Sequence, residues 1–130
     1  MVILITGKKG AGKSYYAQKL IEELKAEDYK FYWLDGDKFR AEKGNHDYSD
    51  EGIIRNLMEA AEIAAEYEHI GYIVVMSFIA PRKEWRKMMR KKWQVSRIVY
   101  IPGGTLWKGT TYQRPSEREL QTKYNNKIEY

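Results

Sequence analysis

Cysteine is absent from this sequence, and its absence excludes several kinds of chemistry at once. Without thiols the 130 residues form no disulfide, no zinc–thiolate site and no covalent thiol catalyst. A chain without disulfides suits a reducing compartment, so we predict a cytoplasmic location.

Long hydrophobic runs are also absent. No apolar stretch approaches the roughly 20 residues that span a bilayer, so we expect no contact with membranes. The apolar stretch Val2–Thr6 is too short for a signal peptide and has no basic residues before it, which favours a buried strand. With 43% hydrophobic and 32% charged residues the composition is globular, and we predict a single domain, residues 1–130.

The charge is unbalanced, because 23 basic residues against 18 acidic ones give a net charge of +5. A basic surface favours anionic partners, among them nucleotides, phosphate esters and nucleic acid. The basic residues concentrate in segment 82–92, where Trp85, Met88, Met89 and Trp93 recur at helical spacing. We predict a helix with these four side chains in the core and the basic ones in water; a nucleic-acid surface is the less favoured alternative.

The strongest motif is a phosphate-binding loop (P-loop). Residues 7–14, GKKGAGKS, fit G-x-x-x-x-G-K-[ST] at every fixed position. A predicted strand, Val2–Thr6, precedes them, and a helical pattern over Lys13–Ala26 follows. The backbone N–H groups of such a loop cradle phosphate oxygens, and the helix directs its positive end at the same anion.

This loop predicts ATP and Mg²⁺ as ligands. Lys13 would reach the β- and γ-phosphates as a catalytic residue, and the Ser14 hydroxyl would bind Mg²⁺. The predicted ATP-binding residues are Gly7, Lys8, Lys9, Gly10, Ala11, Gly12, Lys13, Ser14 and Tyr15.

Strand and helix patterns alternate along the rest of the chain. The predicted strands cover residues 31–34, 72–76 and 97–101, a long helix covers residues 50–68, and Pro81 begins another helix. This alternation predicts an α/β fold of the P-loop nucleotide-kinase type. It has three layers, with helices on both faces of a small parallel sheet of four or five strands.

In such sheets ligands bind beyond the carboxyl ends of the strands. Four segments would meet at that edge: the P-loop, residues 35–37, residues 77–81 and residues 102–104. The sequence therefore predicts that these segments form one site.

The stretch Asp35-Gly36-Asp37-Lys38-Phe39-Arg40 reads as a loop with two carboxylates and a guanidinium. An aspartate beside a P-loop can hold Mg²⁺ or accept a proton from an attacking hydroxyl, and an arginine can bind an anionic acceptor. An ordinary Asp-Gly turn is the alternative. Because the third strand ends in Ser77 rather than an acid, we place the metal carboxylate here, with Asp35 and Ser14 as metal ligands.

Four features resemble the adenylylsulfate (APS) kinase family in order and spacing: the P-loop, the string LDGDKFR at residues 34–40, Asn56, and the string SFIAP at residues 77–81. The resemblance covers residues 2–102. Members of that family transfer the γ-phosphate of ATP to the 3′-hydroxyl of adenosine 5′-phosphosulfate.

The resemblance implies roles for individual residues. Asp37 would assist the acceptor hydroxyl or the metal, as a catalytic residue. Phe78 would stack on the acceptor's adenine. The acceptor-binding residues implied in this way are Asp37, Arg40, Asn56, Phe78, the backbone of Ile79, and Lys83, which stands where the family has an arginine.

Two departures from the family stand out. Ile53 occupies the position of an arginine that contacts the acceptor. The family's long basic lid is reduced to residues 105–111, followed by Tyr112-Gln113-Arg114-Pro115, which resembles a family Tyr-Glu-x-Pro. We therefore predict a shortened form with an open nucleotide site, unless a partner subunit covers it or Tyr112 and Arg114 fold back across it.

The predicted function is ATP-dependent phosphoryl transfer to APS, a small-molecule nucleotide acceptor. One alternative keeps the kinase chemistry and changes the acceptor to another nucleoside, a nucleic-acid end or a small alcohol. Another is a non-catalytic module that binds a nucleotide or nucleic acid. Association into a homo-oligomer is left open by the sequence.

Overall fold

The computed structural model describes residues 1–125, which form one sheet with helices on both sides. The elements in chain order are β1 Val2–Thr6, α1 Lys13–Ala26, β2 Phe31–Asp35, α2 Gly36–Glu42, α3 Asp50–His69, β3 Ile73–Phe78, α4 Lys83–Arg90, β4 Val95–Tyr100 and β5 Lys123–Tyr124. No helix within these residues is long and apolar enough to cross a bilayer.

The strands run in the order β2-β3-β1-β4-β5. The first four are parallel, and β5 pairs antiparallel with β4. Thr6 lies level with Phe78 of β3 and with Tyr100 of β4, so these strands reach their carboxyl ends together. The α/β three-layer prediction is confirmed, and the fifth strand forms with reversed direction.

Each face of the sheet has its own hydrophobic core. On one face Ala17, Ile21 and Leu24 of α1 pack against Ile5 and Val75. On the other face, side chains of α3 and α4 cover the sheet; they include Leu57, Ala60, Ala61, Ala64, Trp85 and Met89. Burial on both faces explains why β1 and β3 read as continuous apolar runs rather than alternating ones.

The predicted loop after β2 is wrong, because residues 36–42 form the helix α2. The Asp35 side chain caps this helix by accepting a hydrogen bond from the Asp37 N–H at 3.2 Å. Phe39 anchors it in the core with 8% exposure. Strand β3 also extends two residues further than predicted, through Ser77 and Phe78, because both pair with β1.

The helix predicted from Pro81 begins two residues later, at Lys83, and its predicted basic face is partly wrong. Trp85, Met89 and Trp93 are buried as expected, but Met88 is 37% exposed and does not join the core. Arg86 at 0% exposure and Arg90 at 4% are buried as well. Both guanidiniums donate hydrogen bonds inside the protein, to Glu119 and to backbone carbonyls of neighbouring segments. Buried charges need such partners, which the following chain supplies.

Candidate active site

A cleft of about 910 Å³ lies at the carboxyl edge of the sheet, above the ends of β1, β2 and β3. The predicted residues among those lining it are Lys9, Gly10, Gly12, Lys13, Ser14, Tyr15, Asp35, Asp37, Arg40, Asn56, Phe78 and Ile79. The structure therefore brings together three of the four segments expected to meet at this edge.

The P-loop presents an open helix end to this cleft. Gly12 precedes α1 with φ 105°, a left-handed conformation that favours glycine. No side chain caps α1, and its first turn carries no acidic residue. The unpaired N–H groups and positive dipole of this helix end are thus left for an anion from solution.

Lys13 is held within the loop, where its Nζ donates a hydrogen bond to the Lys8 carbonyl oxygen at 2.8 Å. Burial lowers the pKa of Lys13, and the nearby negative charges of Asp37 and Asp35 oppose that shift. An anionic phosphate would add to the effect of the two carboxylates. The site therefore holds a partly desolvated cation with two carboxylates within electrostatic reach.

The two aspartates are placed by the start of α2. Asp35 ends β2 and uses Oδ1 to cap the helix, while Asp37 lies exposed in the first turn. Both line the cleft. Capping occupies one acceptor position of the Asp35 carboxylate, and its other oxygen keeps its lone pairs for a further ligand.

The far half of the cleft contains Arg40, Asn56 and Phe78. Asn56 is 4% exposed, and its side-chain oxygen accepts no hydrogen bond from the described residues. A buried polar atom without a partner is costly, so an unpaired oxygen on a cleft wall points to a ligand that donates a hydrogen bond. Phe78 is 4% exposed and packs edge-on against Phe39, with ring centroids 6.1 Å apart.

Four predicted site residues do not line the cleft: Gly7, Lys8, Ala11 and Lys83. Gly7 is buried behind the loop. The side chain of Lys83 is exposed at the start of α4, and its backbone N–H donates to the Gln113 side chain at 2.9 Å. Lys83 thus begins α4 and lies outside the set of residues that line the cleft.

Segment 102–104 does not line the cleft either, but the next three residues do. Thr105 pairs with Lys9 of the P-loop through two backbone hydrogen bonds of 3.0 and 2.9 Å. Gly104 permits this approach, since a Cβ there would lie 2.5 Å from the Lys9 oxygen, and its φ is 76°. The short segment is thus attached directly to the phosphate loop.

Leu106 and Trp107 continue this segment and also line the cleft. The Trp107 ring lies 5.8 Å from that of Tyr48, which belongs to the segment between α2 and α3. Tyr48 in turn lies against Arg40, whose Cζ is 4.7 Å from the ring centroid. Sequence reasoning missed these aromatic residues, although two adjacent apolar residues, Leu106 and Trp107, shortly after a Gly-Gly pair were a sign of an ordered segment.

Tyr112 and Arg114 do not fold back across the site. The Tyr112 ring stacks on Tyr100 at 5.8 Å, and the Arg114 guanidinium lies 5.4 Å from the same Tyr100 ring. Neither residue lines the cleft. That predicted route to closure is wrong, and residues 105–107 line the cleft instead.

A phosphate loop between β1 and α1, at the carboxyl edge of a parallel sheet, places the protein in the P-loop class of α/β proteins. The family model described as adenylylsulphate kinase matches residues 1–123. The chain therefore belongs to the adenylylsulphate kinase family.

Two curated relatives illustrate the match. The adenylyl-sulfate kinase of Bacillus licheniformis is 38% identical over 92 residues, which is 69% of this chain and 46% of the relative. That of Burkholderia ambifaria is 35% identical over 102 residues, covering 77% of this chain and 56% of the relative. The chain thus spans about half the length of these two relatives.

Among solved structures, the Mycobacterium tuberculosis APS kinase CysC in complex with AMPPNP and APS superimposes with a TM-score of 0.72 at 25% identity. The superposition covers 78% of this chain and 61% of that one. The shared fold therefore extends well beyond the P-loop.

Proposed function

We propose that the protein transfers the γ-phosphoryl group of ATP to the 3′-hydroxyl of adenosine 5′-phosphosulfate. The observation that carries this proposal is the buried side-chain oxygen of Asn56, which has no hydrogen-bond partner among residues 1–125 and belongs to a residue that lines the same cleft as the P-loop. One continuous cleft would then hold a phosphoryl donor at the loop and a hydrogen-bonding acceptor opposite. Family membership and the APS complex of the M. tuberculosis relative support the choice of acceptor.

In the donor half, the loop amides and Lys13 would bind the phosphates of ATP. Lys13 Nζ would exchange its contact with the Lys8 carbonyl for phosphate oxygens. Because the transferring phosphoryl group spreads negative charge over its oxygens, a fixed cation stabilises the transition state more than the ground state.

Asp37 would accept a hydrogen bond from the acceptor hydroxyl and orient it for in-line attack. Asp37 lies in the first turn of α2 and lines the cleft near Lys13, where burial lowers the pKa of Lys13 and the Asp37 charge opposes that shift. As the O–P bond forms, the hydroxyl proton would pass to this carboxylate, and the γ-phosphoryl would leave ADP.

The oxygen atoms of the cleft residues are also suited to binding Mg²⁺. No group of three or more histidine, aspartate or glutamate side chains that could hold a metal occurs in residues 1–125. Mg²⁺ does not need one, since it commonly binds through one or two protein oxygens, substrate phosphates and waters. Ser14 and the free oxygen of Asp35 would hold it, and bound there it would neutralise charge on the β- and γ-phosphates.

A second candidate is an acceptor that carries less negative charge. Ile53, 6% exposed, lines the cleft where the family has an arginine, and Leu57, Leu106 and Trp107 make that wall apolar. Among the described lining residues, Arg40 alone supplies a positive charge at this end. A nucleoside or its monophosphate would suit such a wall, with the same chemistry at the P-loop.

Nucleic-acid binding has lost part of its support, because Arg86 and Arg90 are buried in internal hydrogen bonds. A homo-oligomer stays a prediction. Because the donor is ATP, we place the reaction in the cytoplasm.

The test is phosphoryl transfer from γ-labelled ATP to APS, AMP and adenosine in parallel, with products identified by mass spectrometry. APS should be the preferred acceptor. Asn56→Leu should lose acceptor affinity while keeping ATP affinity. Gln18→Leu, an exposed change of the same kind on α1, is the matched control. Preference for AMP or adenosine would establish the second candidate, and no transfer to any acceptor would contradict both.

A further inference from the structure

The wall formed by residues 79–81, which we call the acceptor wall, is held in an unusual way. All three residues line the cleft directly after β3. Each of their three successive carbonyl oxygens accepts a hydrogen bond from a different part of the chain. The donors are Thr6 Oγ1 to Ile79 at 2.5 Å, Arg86 Nη1 to Ala80 at 2.7 Å, and the Gln113 N–H to Pro81 at 2.7 Å.

The conformation of this wall needs such support. Ala80 has φ 42°, in the left-handed region that residues with a Cβ rarely adopt, and it is 1% exposed. Residues in this region persist where their surroundings hold them, and they occur preferentially at functional sites. The three hydrogen bonds provide that restraint here.

The bond to Ile79 depends on Tyr112. Thr6 has a single hydroxyl proton, and the structure places it on the Ile79 oxygen. The Tyr112 hydroxyl, 2.7 Å from the same Thr6 oxygen, must therefore be the donor of that contact. Stacking on Tyr100 fixes the Tyr112 ring.

The other two bonds depend on the segment that follows Tyr112. Arg86 is fully buried, and its guanidinium also donates to Glu119 at 2.6 Å and to the Gln113 carbonyl at 2.6 Å. The Gln113 backbone N–H donates a hydrogen bond to the Pro81 carbonyl oxygen, and the Gln113 side-chain oxygen accepts one from the Lys83 N–H. One connected network thus joins residues 112–119 to the cleft, and it contacts the wall rather than the P-loop amides.

We propose that Tyr112, Gln113 and Arg86 are positioning residues for phosphoryl transfer, which set the shape of the acceptor wall without touching the reacting atoms. This inference rests on the proposed function. It assigns a role to the segment that follows the shortened lid. It also implies that this segment affects the binding of the acceptor and does not affect the binding of ATP.

The first test is Tyr112→Phe, which keeps the stacked ring and removes only the donor to Thr6. The loss of one net hydrogen bond predicts a KM for the acceptor raised by about 2- to 12-fold, with the Kd of a non-hydrolysable ATP analogue unchanged. Tyr29→Phe, a change at an exposed tyrosine far along the chain, is the matched control. The double variant Thr6→Val with Tyr112→Phe should raise the acceptor KM no more than Thr6→Val alone, because both changes remove the same connection.

A second readout does not depend on catalysis. In Tyr112→Phe, hydrogen exchange should accelerate at the amides of Ile79, Ala80, Arg82 and Lys83 and stay unchanged in the P-loop. An unchanged acceptor KM together with unchanged exchange, or equal losses for ATP and acceptor, would overturn the proposal. If the wild-type protein transfers no phosphate, the proposed function fails, and the exchange result still decides whether Tyr112 holds the wall.

Discussion

Replacing Lys13 with methionine should separate activity from stability. Methionine keeps most of the aliphatic stem and removes the charge. In the free protein Lys13 makes one hydrogen bond, to the Lys8 carbonyl at 2.8 Å, worth about 1 kcal/mol net. Burial acts in the opposite direction, because it lowers the pKa of Lys13 despite the opposing charges of Asp37 and Asp35. A lowered lysine pKa means that folding disfavours the charged form, so loss of the charge should relieve a cost.

The two effects oppose each other, and the loss of about 1 kcal/mol alone would shift the melting temperature by about 4 °C in a domain of this size, so we expect a melting temperature within about 4 °C of wild type. Catalysis should respond very differently. At an effective dielectric constant of about 20, a unit charge about 4 Å from a phosphate charge is worth about 4 kcal/mol. If most of that energy is expressed in the transition state, turnover should fall about 10³-fold.

The assay is single-turnover phosphoryl transfer, with melting followed by circular dichroism on the same samples. Lys87→Met is the matched control, because Lys87 is exposed on α4 and does not line the cleft. Turnover of Lys13→Met within about tenfold of wild type would refute the electrostatic role. A large drop in melting temperature would show that Lys13 is structural.

Three further outcomes are expected. Asp37→Asn should lower kcat by about 10²-fold or more with little change in ATP affinity, as measured by steady-state kinetics and calorimetry; an equal loss of ATP affinity would make Asp37 a binding residue. Trp107→Ala should raise the acceptor KM up to about tenfold and increase ATP hydrolysis without acceptor, because the Trp107 ring lines the cleft and its loss would admit water; no change in either quantity would show that Trp107 has no part in substrate binding. Burial raises the pKa of Tyr112, so the unfolded chain releases this proton first and the free energy of unfolding should fall above about pH 10; Tyr112→Phe should flatten that alkaline slope in urea titrations, and an unchanged slope would contradict it.

Several features follow from sequence because their causes are local. The P-loop is recognisable because its backbone shape needs glycine at Gly7 and Gly12 and its chemistry needs a lysine and a hydroxyl at adjacent positions. Strand β1 and helix α1 occur at the predicted bounds, since their apolar periodicity is visible within a few residues. Parallel strands then bring the P-loop and the Asp35–Asp37 stretch to one edge, as predicted.

Other features depend on contacts that no local pattern contains. Helix α2 forms because the Asp35 side chain turns back to cap it and Phe39 finds a buried site against Phe78. From sequence alone an Asp-Gly-Asp stretch is equally suited to a turn. Arg86 and Arg90 look like solvated residues of a basic helix, but residues 113–121, together with Ala80 and Ser96, supply the carbonyls, hydroxyl and carboxylate that pair with them inside the protein.

The cleft itself shows the same division. Its floor, the P-loop and the aspartates, was determined by the sequence, because residue type and strand order place it. The placement of residues 105–107 and of the acceptor wall was decided by tertiary structure. Thr105 pairs with Lys9 across 96 positions through backbone groups that almost every residue has, and Thr6 meets the Tyr112 hydroxyl across 106 positions. Neither residue type identifies its partner in the sequence, so these pairs are selected only by the geometry of the folded chain.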